Sequence, residues 1–341
     1  MKSVTRCQLL LPGMFHELAL TTLCPPALGK LLRSARRGAH FSGNDQAWRC
    51  HYFGVARQQD DPVAPFSCLG EGIECGPYYW LCANPVNLQL QRDSFVLADG
   101  QMRGLSLEQA GQLVAALNQH FLACGMRFYA PHANRWYLRL LDVPRMETHP
   151  LPEVLGRSIH RLLPHGEDGL RWHQRLNEIQ MLLHEHPVNL DLEHGGNLPV
   201  NSLWLWGGGV LLPGLAQPEL QVWAQDSFTR GLAQAHGSRV MGLPRSAIDW
   251  LRQGLVTGKH LLVLNGLEQA DLQSGAGEWA DTLARMDNEW FTPLLAALRD
   301  GTLDRLDLHL AGTRKVNSYS LSRTDLYKFW RRARPLGAWL A

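Results

Sequence analysis

The sequence predicts an α/β protein: a mainly parallel sheet flanked by helices, with an α+β block inserted into it. Three observations carry that expectation. After residue 203 short apolar strands alternate with helix-periodic stretches, the rhythm of a sheet covered by helices. Between about 81 and 204 that rhythm gives way to two strongly amphipathic helices. Near the start, Cys7 to Leu11 is an apolar run cut off by Pro12-Gly13, which reads as a first buried strand. The sheet is therefore expected from residues 1–80 and 205–335, and the insertion from 81–204.

Pro25-Pro26 opens a helix through Leu28, Leu31 and Leu32 that Gly38 closes, since proline is tolerated in a first helical turn. From there to about Pro77 the chain reads as irregular. Ser94 to Ala98 and Arg135 to Leu141 are expected strands around a helix. Ser106 caps that helix, Gln109 completes a capping box, and Gly125 stops it. Its apolar face is Leu107, Ala110, Leu113, Val114, Leu117 and Phe121. A second helix after Gly169 carries Trp172, Leu176, Ile179 and Leu183 and ends at Pro187. Leu203 to Trp206 is a short strand running into Gly207-Gly208-Gly209. Arg239 to Gly242, Leu261 to Leu264 and Leu306 to Leu310 are further strands, and a helix over Glu278 to Leu298 separates the last two.

Composition excludes several function classes. With 45% hydrophobic and 19% charged residues the 341-residue chain is globular, and a net charge of +2 gives no global field toward nucleic acid or a membrane. The basic groups Lys30, Arg33, Arg36 and Arg37, and Arg331, Arg332 and Arg334, read as solvated helix faces. Seven cysteines without a C-x-x-C pair argue against a disulfide framework or zinc knuckle and for a reducing cytoplasm. The apolar stretch Cys7 to Phe15 is too short and broken for a signal peptide, and no run reaches the length of a membrane span.

Three phrases, in order, carry a resemblance: Ala64-Pro-Phe-Ser-Cys-Leu-Gly-Glu-Gly-Ile-Glu74, His186-Pro-Val-Asn189, and Leu198-Pro-Val-Asn-Ser-Leu-Trp-Leu-Trp-Gly-Gly-Gly209. Together they resemble archaeal-type cofactor-independent phosphoglycerate mutases of the alkaline-phosphatase superfamily, closest to a proteobacterial branch of regulatory proteins of the RpfE type. The resemblance implies an alkaline-phosphatase-like core with an inserted α+β cap. It also implies chemistry with two divalent metals, held by aspartates and histidines, and a serine that carries the phosphoryl group.

This chain departs from that pattern at each position. Pro12 stands where the family has a metal-binding Asp, and Asn44, in Gly43-Asn44-Asp45, where it has the nucleophile. Leu267 and Asp271 fall at an Asp and a His ligand, and Ala311 and Gly312 at an Asp-His pair. The expectation is a pseudoenzyme with no cofactor, acting as a regulatory or binding protein for a protein partner or a small anionic metabolite, with membrane and nucleic acid disfavoured. The alternative is a working mutase or phosphatase that binds manganese or magnesium through a rebuilt site including Glu268 and Asp271. Arg135, Asn201, Gly207, Gly208 and Gly209 are candidate anion contacts: the arginine resembles a family cap residue, and glycine loops after strands can cradle phosphate, although the first reading of the glycine run is a tight crossing between cap and core. His184 and His186 at a helix end, Asp281, Asp287 and Glu289 on a helix, and Cys24 before Pro25-Pro26 read as structural or solvent-facing.

Overall fold

A computed structural model describes residues 5–15, 25–91, 94–97, 102–212, 214, 216–253, 258–274, 276–327 and 334–340. The chain forms two compact units, Met1–Gly54 with Gly214–Ala341, and Val55–Pro213. The first opens with β1 (Thr5–Leu11), α1 (Pro26–Ser34), β2 (Arg36–Ser42) and α2 (Asp45–Phe53). The second contains α3 (Val63–Gly70), β3 (Tyr79–Val86), β4 (Leu88–Gln91), β5 (Ser94–Leu97), α4 (Leu107–Phe121), β6 (Met126–His132), β7 (Arg135–Leu140), α5 (Leu151–Val154), α6 (Gly169–His184), α7 (Pro187–His194) and β8 (Ser202–Gly209). The chain returns to the first unit with β9 (Leu220–Trp223), α8 (Ser227–Ala235), β10 (Arg239–Met241), α9 (Ala247–Arg252), β11 (Gly258–Val263), α10 (Gly266–Ser274), α11 (Ala276–Met286), α12 (Thr292–Asp300), β12 (Arg305–Ala311), β13 (Lys315–Ser322) and α13 (Gly337–Leu340).

In the first unit the strand order is β10-β9-β11-β1-β12-β13-β2, and only β13 runs against the others. β1 lies between β11 and β12. Such a strand is covered on both faces, so it reads as a continuous apolar run rather than an alternating one. Cys7, Leu9 and Leu11 join Leu306, Leu308 and Leu310 in a core completed by Leu28, Leu31, Trp279, Leu283, Phe291 and Leu294.

The second unit is built on a four-stranded antiparallel sheet, β6-β7-β3-β8, with β4 and β5 as a separate hairpin. α4 begins with the predicted capping box: Gln109 N donates to Ser106 Oγ at 3.1 Å, and Ser106 N donates to Gln109 Oε1 at 2.9 Å. Ala110, Leu113, Leu117 and Phe121 of this helix, with Trp172, Leu176, Ile179 and Leu183 of α6, bury against Leu81, Phe128, Leu138, Leu203 and Leu205. Full burial of one such side chain contributes about 1.5–3 kcal/mol.

Several sequence expectations need correction. The second unit starts at residue 55 rather than 81 and ends at 213. The reason is pairing: β3 sits between β7 and β8, and α3 contacts both β3 and β8, so the stretches flanking the insertion join its sheet. The irregular region up to Pro77 holds β2, α2 and α3. β2 is an exposed edge strand without alternation, which hides it from a periodicity reading. Arg36 and Arg37 therefore lie on a strand, not on the helix that carries Lys30 and Arg33. Ala98, Arg331, Arg332 and Cys24 lie outside the described residues. Leu107, assigned to the buried face of α4, is exposed as the first residue of the helix.

The helix expected over Glu278 to Leu298 is interrupted by a π-helical turn, Asp287–Phe291, between α11 and α12. Pro293 follows that turn, and a proline ring clashes with the carbonyl four residues before it in a regular α-helix. The turn directs Asp287 inward, where it is buried rather than solvent-facing. Its carboxylate accepts from Leu28 N at 2.8 Å and Ala27 N at 3.0 Å. That supplies the cap for α1, which Pro25 cannot provide. Asp281 and Glu289 are exposed, as expected.

Candidate functional site

In open α/β sheets ligands bind at the carboxyl ends of the strands. Here that edge gathers the ends of β1, β11 and β12 and the starts of α2, α8 and α10. Pro12, Asn44, Leu267, Ala311 and Gly312 fall there, and Asp271 lies further along α10.

At the end of β1, Pro12 is buried and Gly13 takes a left-handed φ of 72°. Gly13 lies so close to α10 that a Cβ on it would be 2.5 Å from the Glu268 backbone nitrogen. The Trp279 indole N–H donates to the Gly13 carbonyl at 2.8 Å. Leu267 is fully buried in one apolar cluster with Leu11, Met14, Leu264 and Trp279. At the end of β12 the Ala311 carbonyl accepts from Met14 N at 3.0 Å, while Gly312 N donates to Lys315 O at 3.0 Å. This part of the edge is closed by backbone contact and apolar packing. The Asp271 side chain lies outside the described residues.

Asn44 is the N-cap of α2: its Oδ1 accepts from Ala47 N at 2.9 Å. Asp45 follows, and its carboxylate pairs with Arg49 one turn later. Arg49 is almost completely buried. Its Nη1 donates to Asp226 Oδ1 at 2.9 Å and to Thr229 Oγ1 at 2.9 Å. Asp226 also caps α8, accepting from Thr229 N at 2.8 Å. Burial opposes the arginine's charge, but Asp45, Asp226 and Glu268 together outweigh it and raise its pKa above the ordinary value. A guanidinium thus stands among the carboxylates at the strand ends.

This donor set does not fit a two-metal centre. Among the described residues no three His, Cys, Asp or Glu side chains are grouped to hold a metal ion. Two of the carboxylates present are already ion-paired to Arg49. A pair of divalent cations needs a full set of oxygen or nitrogen donors directed at each ion.

The expected anion contacts lie in the second unit, and each has a partner. Arg135 Nε is 2.7 Å from Glu71 Oε1, and His132 Nε2 is 3.0 Å from Glu71 Oε2. Asn201 bonds both ways with Leu88, accepting from its N–H at 2.7 Å and donating to its carbonyl at 2.9 Å. Gly207 has a φ of 64° and faces Val63, and Gly209 faces Pro62 and Gln58. The Gly208 N–H points to the buried Asp60 carboxylate at 3.4 Å. Burial raises the Asp60 pKa against hydrogen bonds from Thr148 and Gly208. The Gly208 N–H is therefore turned toward Asp60.

The two Pro-Val-Asn phrases have a structural explanation. Asn189 Nδ2 donates to Leu183 O at 2.7 Å and Val200 O at 2.8 Å, and its Oδ1 accepts from Val200 N at 2.8 Å. It ties the end of α6 to the segment entering β8, while Asn201 ties the same segment to β4. His186 is the N-cap of α7, with Nδ1 accepting from Val188 N at 3.3 Å, and burial lowers its pKa. The helix end that His186 serves is thus the start of α7. Sequence reasoning also missed Arg49, Asp226, Asp60 and the burial of Asp287. Asp45 and Arg49 at i,i+4, and Asp226 three residues before Thr229, were the available signals.

The fold is a mixed α/β one built on a large, mainly parallel sheet. A solved structure from Pyrococcus horikoshii superposes with a TM-score of 0.54 at 12% identity, covering 94% of this chain and 88% of that one. A cofactor-independent phosphoglycerate mutase from Thermoplasma acidophilum gives 0.47 at 16% identity, covering 94% and 90%. The family model for 2,3-bisphosphoglycerate-independent phosphoglycerate mutase matches residues 63–189. The mutase of Methanosarcina mazei is 30% identical over 107 residues, 31% of this chain and 27% of that enzyme. A probable mutase of Geobacter sulfurreducens is 28% identical over 149 residues, 43% of this chain and 37% of that protein. The matches therefore span about a quarter to two-fifths of these relatives' length. The chain is homologous to cofactor-independent phosphoglycerate mutases, and the family match lies wholly inside the second unit. No described helix is long and apolar enough to cross a membrane.

Proposed function

We propose that this chain is a non-catalytic relative of the cofactor-independent phosphoglycerate mutases, a cytoplasmic bacterial regulatory or binding protein of the RpfE type that works without a metal cofactor. One observation carries the reading. The family match covers 63–189, whereas Pro12, Asn44, Leu267, Asp271, Ala311 and Gly312 all lie outside it, in the first unit. There the described positions have structural roles: a helix cap at Asn44, core packing at Leu267 and backbone closure at Gly13 and Ala311. Without a metal pair, phosphoryl transfer lacks its main charge stabilisation. The partner of such a protein would be a protein surface or a small anionic metabolite. Titration calorimetry with manganese and with magnesium tests the reading: no stoichiometric binding is expected, and two tightly bound ions per chain would overturn it.

The second reading is a metal-dependent mutase or phosphatase rebuilt around Glu268 and Asp271. The observation in its favour is that Glu268 acts on Arg49 together with Asp45 and Asp226, so three carboxylates share the field of one guanidinium at the strand ends. On that reading, manganese would bind and Asp271→Ala would remove it.

A further inference from the structure

The second unit contains a cavity of about 560 Å³, in a different unit from Pro12, Asn44, Leu267, Ala311 and Gly312. It lies between the β4–β5 hairpin, the segment 156–164, one face of α6 and the start of β8. The segment is held to the hairpin by Gly156 N donating to Leu97 O and Ile159 N donating to Phe95 O, both at 3.0 Å. The walls are aliphatic and aromatic: Leu88, Phe95, Ile159, Leu163, Leu176 and Leu205. The size falls within the roughly 300–1,000 Å³ of small-molecule sites.

Three features define what such a cavity would take. First, its apolar wall continues outward. Leu88, Leu90, Phe95 and Leu97 form two cross-strand pairs on one face of the hairpin. Leu97 is buried, whereas Phe95 is 52% and Leu90 67% exposed. A two-stranded hairpin with an uncovered apolar face is only marginally stable in water. Second, three of the polar side chains in the wall are engaged with the protein itself: His173 Nε2 lies 2.8 Å from the Pro164 carbonyl, Gln180 donates to Ser202 at 3.2 Å, and Asn201 is paired with Leu88. Asn177 and His184 also line the cavity and are exposed, so most of the wall, though not all of it, favours hydrocarbon. Third, the segment that supplies Ile159 and Leu163 presents Arg157, His160 and Arg161 to solvent. The Arg157 guanidinium donates to the Glu153 backbone carbonyl, and the Arg161 side chain makes no hydrogen bond or ion pair among the described residues. These residues line a separate hollow on the outer side of the same segment; no Asp or Glu is found among the described residues lining that hollow or the cavity, and Glu153 is the acidic residue next to Arg157.

We propose that this cavity binds an amphipathic anion, an aliphatic monocarboxylate whose chain lies against the Leu88–Phe95–Leu176 wall and whose head group meets Arg157 and Arg161. Hydrophobic burial supplies the affinity, and the two guanidinium groups select the charge of the head. The site is independent of the mutase-like strand edge.

Calorimetric titration with decanoate and with decanol tests this on the full chain. Decanoate is expected to bind saturably, one molecule per chain, and more tightly than decanol. The double change Arg157→Glu, Arg161→Glu, on exposed residues, should weaken decanoate about tenfold and leave decanol unchanged. Phe95→Glu should weaken both. Absence of saturable decanoate binding would overturn the proposal. So would equal affinity for decanol, or indifference to the arginine changes. A dimer in sedimentation that Phe95→Glu dissociates would assign the face to a second copy of the chain and overturn it as well.

Discussion

Arg49 Nη1 donates to Asp226 Oδ1 at 2.9 Å across 177 residues of sequence, joining the helix after β2 to the helix after β9. Asp45 meets the same guanidinium, so one buried cation balances two carboxylates at the strand ends. Removing one partner of such a pair leaves charge buried without compensation. Arg49→Met should therefore destabilise the protein by about 3–5 kcal/mol in chemical denaturation. Added manganese should not restore that loss, because the carboxylates are not grouped as metal ligands.

His309, on β12, has its Nδ1 2.9 Å from Ser318 Oγ and its ring 4.5 Å from that of Trp48. Burial lowers its pKa to about 4, from an ordinary value near 6.5, against the attraction of Asp307. Between those values the unfolded chain takes up a proton that the folded chain does not. Stability from this residue is therefore complete above pH 6.5 and is lost as pH falls toward 4. The loss is about 3 kcal/mol for one such proton. His309→Gln should flatten the stability profile over that window. An unchanged slope would show that His309 ionises normally in the folded state.

Asn189 makes three hydrogen bonds to backbone groups of Leu183 and Val200. Asn189→Ala leaves those groups buried and unpaired and should cost about 2–4 kcal/mol in denaturant unfolding. Asn189→Asp should be no rescue, because a carboxylate cannot donate to the two carbonyls.

Leu117 is fully buried between α4 and the sheet of the second unit. Leu117→Ala should cost about 2–5 kcal/mol. A loss near zero in thermal and denaturant unfolding would contradict the packing of α4 described above.

What was legible in the sequence followed from strong periodicity and strong stops. The capping box at Ser106 and the apolar stripes of α4 and α6 specify their helices locally, and β1, β11 and β12 are apolar runs with clear ends. The hidden elements lack that signal. β2 is an edge strand with little buried surface, and β13 depends on pairing with both β12 and β2. The π-helical turn before Pro293 is invisible to a pattern that assumes 3.6 residues per turn. At the site, the resemblance pointed to Pro12, Asn44, Leu267, Asp271, Ala311 and Gly312. The partners that now occupy the strand ends, Arg49 with Asp226 and Trp279 with Gly13, arise from contacts between distant segments. The glycine loop read as a phosphate cradle because its sequence does not show Asp60, 148 residues from Gly208, turned toward it.

The central claim is that the strand edge no longer supports phosphoryl transfer. It is tested most directly by assaying the purified chain with 3-phosphoglycerate, and with generic phosphate esters, in the presence of manganese. The account predicts no turnover above background. Metal-dependent turnover that Asp45→Ala and Asp271→Ala each abolish would contradict it and show a rebuilt catalytic site.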